Sequence, residues 1–211
     1  MEIAVVGGGI GGLAVTRALQ MQGHAVTVYE AEPELRSLGG GLIVPPNSVR
    51  VLRELGLGHF LETETVRLRD MQILDASGKL VYRRDQRAVA NALGQSLLAV
   101  SRSRLHAALA QIVGVGTIEA GRRLVQLDNT FNEVTAHFAD GSRARADLLI
   151  AADGRLSTVR SLLFPQTRLV GVGQIAYRGV APLELGGDWQ HSFAELWGSG
   201  RRFTFFPWSR G

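Results

Sequence analysis

Two short apolar runs without polar alternation stand out along the chain. One spans Ile3 to Val6 and is followed by glycines, and the other spans Leu148 to Ala151 and is followed by Asp153 and Gly154. Continuous apolar runs of this length are typical of parallel strands that are buried on both faces of a sheet. We therefore predict two buried strands, each ending at a glycine-containing turn.

The first of these runs opens a strand–helix–strand unit. Apolar residues recur at helical spacing between Gly11 and Gln22, and a β-branched segment from Ala25 to Glu30 returns the chain to the sheet. The whole unit takes about thirty residues, which is the length of a dinucleotide-binding βαβ unit.

The rest of the chain predicts short helices and hairpin-linked strands. Helices are expected from Asn47 to Leu55, ended by Gly56, from Ser103 to Val113 with Ser103 as the cap, and from Ser157 to Leu163. Hairpin turns are expected across Asp75 to Lys79 and at Asp140-Gly141, with further strands at Leu124–Asp128, Glu133–Phe138 and Ser142–Ala146.

Composition narrows the function classes. The net charge of +4 comes almost wholly from arginine, and acidic residues lie between the basic ones, so no nucleic-acid-binding patch is predicted. The chain has no cysteine, which excludes disulfides and thiolate metal sites, and its five histidines are not at zinc-ligand spacing. We predict no metal.

The apolar segments are too short for a membrane protein. None approaches the roughly 18 apolar residues of a membrane span, and Met1-Glu2 does not begin a signal peptide. The expectation is a cytoplasmic protein that does not interact with membranes.

The first turn carries the pattern G-x-G-x-x-G in Gly7-Gly8-Gly9-Ile10-Gly11-Gly12. In such a motif Gly7 makes the tight turn, Gly9 lets the backbone approach a pyrophosphate, and Gly12 lets the helix pack on the strand. The alternative is a glycine-rich turn without a ligand. Glu30 ends the second strand, where a carboxylate can bind a ribose diol, so a dinucleotide with free ribose hydroxyls, FAD or NAD, is favoured over NADP.

Four segments together resemble the FAD-dependent aromatic hydroxylases, the class A flavoprotein monooxygenases built like para-hydroxybenzoate hydroxylase. They are the glycine-rich start with Glu30, the segment Arg36 to Ile43 followed by Pro46-Asn47, the segment Ser101 to Leu105, and the segment Ala146 to Gly154, which is similar to the family's Asp-Gly motif. Two later segments, Ala176 to Val180 and Gly200 to Pro207, are similar to parts of the family's substrate domain.

The resemblance implies an α/β fold with a Rossmann-like FAD-binding domain, made of the βαβ unit and antiparallel crossover strands, and a partial, mainly β substrate domain. The FAD-binding domain would comprise residues 1–66 and 98–170, and the substrate part residues 67–97 and 171–211. The family's later Gly-Asp motif does not occur before Gly211. The chain is therefore expected to correspond to the N-terminal portion of such an enzyme.

The motif and the resemblance together imply a set of site residues. The cofactor-binding residues are Gly7, Gly9, Ile10, Gly11, Gly12, Glu30, Ala31, Arg36, Ile43, Arg102, Leu124, Asp153 and Gly154. The substrate-binding residues are Tyr177, Arg178 and Arg202. The guanidinium groups of the two arginines suit an anionic aromatic ring. The alternatives are surface arginines for Arg36, Arg102, Arg178 and Arg202, plain core for Ile43 and Leu124, and a helix cap for Asp153.

The activity implied by the resemblance is hydroxylation of a small aromatic or heteroaromatic substrate with NAD(P)H and O₂, through a flavin C4a-hydroperoxide. No catalytic acid or base is predicted. There are three alternatives. They are another flavin oxidoreductase of the same fold (an epoxidase or a reductase), an FAD-binding fragment without activity, and a nicotinamide dehydrogenase. A homodimer is left open.

Overall fold

The computed structural model describes residues 1–35 and 39–209. Within them the chain forms two compact units, the first comprising residues 1–35 and 106–177 and the second residues 39–105 and 178–209.

The regular elements follow the predicted order. The helices are α1 (Ile10–Met21), α2 (Pro46–Leu52), α3 (Gly58–Thr63), α4 (Gln86–Leu93), α5 (Arg102–Val113) and α6 (Thr158–Leu163). The strands are β1 (Glu2–Val6), β2 (Ala25–Tyr29), β3 (Gly41–Val44), β4 (Thr65–Arg67), β5 (Asp70–Asp75), β6 (Leu80–Asp85), β7 (Leu98–Ser101), β8 (Ile118–Glu119), β9 (Leu124–Asn129), β10 (Val134–Phe138), β11 (Arg143–Ala146), β12 (Leu148–Ala151), β13 (Ser192–Gly198) and β14 (Arg201–Phe205).

The first unit is built on a parallel sheet with the strand order β12-β1-β2-β8. Strand β1 lies between β12 and β2, and the paired residues Val5 on β1 and Val28 on β2 are fully buried. The predicted βαβ unit is confirmed by β1, α1 and β2. The predicted burial is right for β1 and wrong for β12, where Leu148 is 43% exposed. Among the residues that the structure describes, β12 is the edge strand of this sheet and pairs with β1 alone.

Antiparallel strands β9, β10 and β11 form the predicted crossover before β12. The Asp140-Gly141 turn is stabilised by the Asp140 carboxylate, which accepts hydrogen bonds from the Ser142 backbone N–H and hydroxyl. Side chains of these strands pack on the parallel sheet, with the rings of Tyr29 and Phe138 4.8 Å apart between centroids. The α/β fold class is thereby confirmed.

One helix prediction is confirmed and another needs correction. The helix expected from Asn47 to Leu55 begins at Pro46 and ends at Gly56 as predicted, because the left-handed backbone of Gly56 (φ +101°) breaks the helical path, and α3 follows from Gly58. Helix α5 begins at Arg102, so Ser103 lies inside it, and the hydroxyl of Ser101 accepts from the Arg104 N–H at 3.4 Å.

The second unit contains a mixed sheet, β14-β13-β5-β6, and an antiparallel sheet, β3-β7-β4. Strands β5 and β6 form the predicted hairpin. This unit includes residues 39–66 and 98–105, because β3 and β4 both pair with β7. From the sequence these residues are predicted in the FAD-binding domain. The functional division into two domains stays a prediction.

Candidate functional site

The carboxyl ends of β1 and β12 bring two separate motifs together at one edge of the parallel sheet. Gly7 follows β1, and a Cβ atom placed on it would lie 2.9 Å from the Cα of Asp153, which follows β12. Ligands of doubly wound α/β folds bind at this edge. The glycine motif and the Asp-Gly motif are therefore neighbours in space.

The glycine turn is packed too tightly for side chains at two of its positions. Gly7 has a φ of +106°, in the left-handed region, and a Cβ there would lie 2.5 Å from the carbonyl oxygen of Ala152. A Cβ on Gly12 would overlap the carbonyl oxygen of Gly7. Gly9, by contrast, has nothing within 4 Å of its Cβ position, so its open side is free for a ligand.

The N-terminus of α1 offers unpaired donors. The first hydrogen bond of the helix runs from the Leu13 N–H to the Gly9 carbonyl, so the N–H groups of Ile10, Gly11 and Gly12 have no acceptor within the helix. No side chain caps this end and no acidic residue lies in its first turn. The donors and the positive end of the helix dipole can therefore meet an anion such as a pyrophosphate.

Glu30 faces this turn from the end of β2. Its Oε2 accepts a hydrogen bond from the Gly8 N–H at 2.6 Å, and its Oε1 accepts one from the Glu32 N–H at 2.9 Å. A carboxylate has further lone pairs, so Glu30 can still accept from ribose hydroxyls. Ala31, the next residue, is partly buried.

Gly8 is a residue of the turn that the motif pattern does not single out. A Cβ on Gly8 would lie 2.8 Å from the Leu35 side chain and 3.1 Å from the Glu30 carboxylate. The run of three glycines was the only sequence signal for it.

Asp153 supports the start of α6. Its Oδ1 accepts from the Ser157 hydroxyl at 2.6 Å and its Oδ2 from the Val159 N–H at 3.1 Å, while Ser157 is the N-cap and accepts from the Arg160 N–H. The helix-cap alternative for Asp153 is thus part of its role. Gly154 follows with a left-handed φ of +78°. The cofactor role of both residues stays a prediction.

His106 is a second residue that sequence reasoning passed over. It lies on α5, is 5% exposed, and places its Nε2 2.6 Å from the carbonyl oxygen of Gly8. No motif spacing pointed to it, because the contact joins residues far apart in the chain.

The other predicted cofactor residues are spread over both units. Leu124 is 4% exposed and lies in the core of the first unit, which agrees with the alternative that it is an ordinary core residue. Ile43 packs against Val66 and Leu68 in the second unit. Arg102 begins α5, and its backbone N–H donates to the carbonyl of Gly40. Arg36 lies outside the described residues.

The predicted substrate residues are exposed. Tyr177 is 93% exposed, and Tyr177 and Arg178 lie in a stretch without helix or strand. Arg202 lies on β14, with its Nη1 3.6 Å from Oε1 of Glu195 on β13. Glu195, 8% exposed, also accepts from the indole N–H of Trp197 at 2.9 Å, and is a further polar residue that the sequence did not indicate.

The buried tyrosine next to Glu30 is kept neutral. Burial raises the pKa of Tyr29, and the nearby Glu119 carboxylate raises it further, while a hydrogen bond with Thr27 acts in the opposite direction. Tyr29 therefore contributes no charge to the edge of the sheet.

The part of the chain that the structure describes contains no cluster of three or more His, Asp or Glu side chains suited to a metal ion. It also contains no helix with the length and apolar character to cross a bilayer.

A family model described as FAD binding domain matches residues 1–185. The chain belongs to this FAD binding domain family. FAD is accordingly its cofactor, which settles the choice between FAD and NAD that Glu30 left open, and the resemblance to the FAD-dependent aromatic hydroxylases is confirmed.

Curated members of the family align along the whole chain. It is 33% identical to an FAD-dependent urate hydroxylase of Klebsiella pneumoniae, covering 100% of this chain and 56% of the relative. It is 32% identical to a 3-amino-4-hydroxybenzoate 2-monooxygenase of Streptomyces cremeus, covering 100% and 54%. The chain thus spans about half the length of these relatives.

A solved structure of a family member has the same fold. The crystal structure of Klebsiella pneumoniae HpxO complexed with FAD and uric acid matches 100% of this chain and 54% of that chain, with a TM-score of 0.82 at 30% identity.

Proposed function

We propose that the chain binds FAD at the glycine-rich edge of its parallel sheet and that the whole protein is an FAD-dependent monooxygenase. Its substrate would be a small aromatic or heteroaromatic ring, hydroxylated with NAD(P)H and O₂. The observation that carries the proposal is the position of the Glu30 carboxylate, 2.6 Å from the Gly8 N–H and beside an uncapped helix N-terminus.

The pyrophosphate of FAD fits the N-terminus of α1. The free N–H groups of Ile10, Gly11 and Gly12 supply donors, and Gly9 leaves the space that a phosphate group needs next to the backbone. Arginine or lysine side chains are not required there, since the helix dipole supplies the positive potential.

The adenosine ribose fits Glu30. The carboxylate is held in place by two backbone N–H groups, of Gly8 and Glu32, so it is oriented before a ligand arrives. An oriented acceptor loses less entropy when it binds a diol, and that favours affinity. Asp153 would contact the cofactor from β12 while it holds the start of α6.

Bound FAD supplies the redox chemistry, and the protein supplies binding and orientation. The residues of this chain with a proposed part in substrate binding are Tyr177, Arg178 and Arg202. Arg202 lies with its Nη1 3.6 Å from the buried Glu195 carboxylate, and its side chain is 63% exposed, so its other guanidinium N–H groups are accessible to a ligand.

The names of the relatives favour an anionic, oxygen-bearing ring as substrate. Urate and 3-amino-4-hydroxybenzoate, named for two of them, are both anions with a planar ring that bears oxygen. A guanidinium can bind such an anion through two parallel hydrogen bonds. Arg202 would then determine the orientation of the ring.

The test is reconstitution of the purified chain with FAD, followed by visible absorption and by NADPH oxidation with and without urate or aromatic acids. The proposal is supported if the chain takes up FAD and if urate or an aromatic acid stimulates its NADPH oxidation. FAD uptake without any stimulation indicates another flavin oxidoreductase or an FAD-binding fragment without activity. A colourless chain that takes up no FAD contradicts the binding proposal. The cytoplasmic location and a homodimer stay predictions.

A further inference from the structure

Gly8 is held from both sides by side chains that are distant in sequence. Its N–H donates to Oε2 of Glu30 at 2.6 Å, and its carbonyl oxygen lies 2.6 Å from Nε2 of His106. All three residues belong to the first compact unit. The backbone of the glycine turn therefore has a fixed orientation at Gly8.

The contact with the Gly8 carbonyl determines that Nε2 of the His106 ring carries a hydrogen. A carbonyl oxygen only accepts hydrogen bonds, so Nε2 of His106 must carry the hydrogen. The side chain is 5% exposed, so water competes little for this donor. The contact is a buried hydrogen bond from an imidazole N–H to the backbone.

The orientation of the Gly8 carbonyl fixes the N–H of the next residue. In a planar trans peptide the C=O of one residue and the N–H of the following residue point in opposite directions. Because the Gly8 carbonyl points to His106, the Gly9 N–H points away from it. Within residues 1–35 and 39–209 no acceptor is paired with the Gly9 N–H.

We propose that His106 is a positioning residue for the cofactor pyrophosphate, acting through the peptide between Gly8 and Gly9. This inference rests on the proposed binding of FAD at the same turn. By holding the Gly8 carbonyl, His106 keeps the Gly9 N–H directed outward, where it adds one donor to those of the first turn of α1. His106 itself touches no part of the ligand.

Two substitutions of His106 test whether its hydrogen bond to the Gly8 carbonyl matters, or only the volume that its side chain fills. The amide nitrogen of Gln reaches about as far along the side chain as Nε2 of His, whereas that of Asn reaches only about as far as Nδ1. His106→Gln should therefore retain the hydrogen bond to Gly8, and His106→Asn should lose it. Both replacement side chains are polar and uncharged.

The binding experiment compares three ligands, FAD, ADP and adenosine, with the wild-type chain and both variants. We expect His106→Asn to bind FAD and ADP about tenfold more weakly, the effect of one misplaced hydrogen bond to a charged group, with adenosine unchanged. His106→Gln should stay within about threefold of wild type for all three ligands, on the same scale. Equal weakening of all three ligands in His106→Asn, or equal binding by both variants and wild type, would overturn the proposal.

A second measurement does not depend on cofactor binding. In the ligand-free chain, ¹⁵N NMR of the His106 ring should show the hydrogen on Nε2, and the Gly9 amide resonance should move in His106→Asn but not in His106→Gln. An unmoved Gly9 resonance in His106→Asn contradicts the inference. A wild-type chain that binds neither FAD nor ADP contradicts the proposed function instead, and the NMR result still decides the role of His106.

Discussion

The carboxylate of Glu30 and the backbone N–H of Gly8 form a hydrogen bond with 2.6 Å between Oε2 and N. It joins the end of β2 to the glycine turn that follows β1. The residue proposed to bind the ribose is therefore connected directly to the turn proposed to bind the pyrophosphate, so loss of the Glu30 carboxylate also removes a support of that turn.

Replacement of Glu30 by Ala should weaken FAD binding by tenfold or more. The substitution removes both the acceptor for the ribose hydroxyls and the support of the Gly8 N–H, and hydrogen bonds to charged groups are each worth about 1.5–3 kcal/mol. Fluorescence titration with FAD measures the change. Glu32→Ala is the matched control, since it removes the same charge two residues away and the Glu32 side chain is 65% exposed. Equal effects of the two substitutions would show that Glu30 acts only through net charge.

Alanine at Gly9 should separate folding from cofactor binding. Nothing lies within 4 Å of the Cβ position, so the variant should unfold at the wild-type temperature, but the methyl group occupies the space proposed for a phosphate. We expect loss of FAD uptake in the visible spectrum and an unchanged melting temperature. Full FAD uptake by Gly9→Ala would place the pyrophosphate elsewhere.

Alanine at Gly12 should destabilise the fold itself. The added Cβ would overlap the Gly7 carbonyl oxygen, and such overpacking costs about 1–3 kcal/mol or more. Denaturant unfolding measures this loss. Gly11→Ala is the matched comparison for folding, because its Cβ position is open and Ala is favoured over Gly by about 1 kcal/mol within a helix. A Gly12→Ala chain as stable as Gly11→Ala would contradict the packing role of Gly12.

Ser157→Ala and Asp153→Ala should have different effects on stability and binding. Ser157→Ala removes the N-cap of α6 and should cost about 1 kcal/mol of unfolding free energy while FAD affinity is retained. Asp153→Ala also removes hydrogen bonds to α6 but should weaken FAD binding as well. Chemical denaturation and FAD titration of both variants provide the test. If both weaken FAD equally, Asp153 acts only through the helix cap.

Acid should destabilise the second unit partly through Asp70. Burial raises the pKa of this carboxyl, but hydrogen bonds from Gln72, Ser192 and Arg83 outweigh it, and the pKa is lowered overall. The stabilisation is fully present above the unfolded pKa of about 3.9 and is lost as the pH falls through the lower folded value. Unfolding free energy measured from pH 7 downward should therefore fall less steeply below about pH 4 in Asp70→Asn than in wild type.

Asp188→Asn is the control for this pH dependence. The Asp188 side chain is 84% exposed and lies 3.9 Å from Arg83. The unfolding free energy of the Asp188→Asn variant should therefore fall with pH as steeply as that of wild type. An Asp70→Asn chain with the wild-type acid slope would show that Asp70 does not carry the effect.

Local sequence determined much of the fold. The apolar run at Ile3–Val6, the helical spacing that follows it, and the turn at Asp140-Gly141 each specify their element through neighbouring residues, and the structure forms all three. The run at Leu148–Ala151 predicted a strand correctly but not its exposure, because the position of a strand within a sheet depends on which partners lie beside it.

The tertiary structure alone decided the contacts around the glycine turn. The motif named Gly7, Gly9 and Gly12, since their roles follow from backbone geometry that is local to the turn. His106 lies near the same turn from α5, and Asp153 lies near it from the end of β12. The contacts of the Gly8 backbone with the side chains of Glu30 and His106 depend on how β2 and α5 pack around the turn. Hydrogen bonds between distant segments form only where packing brings the groups together, and no spacing along the chain encodes that.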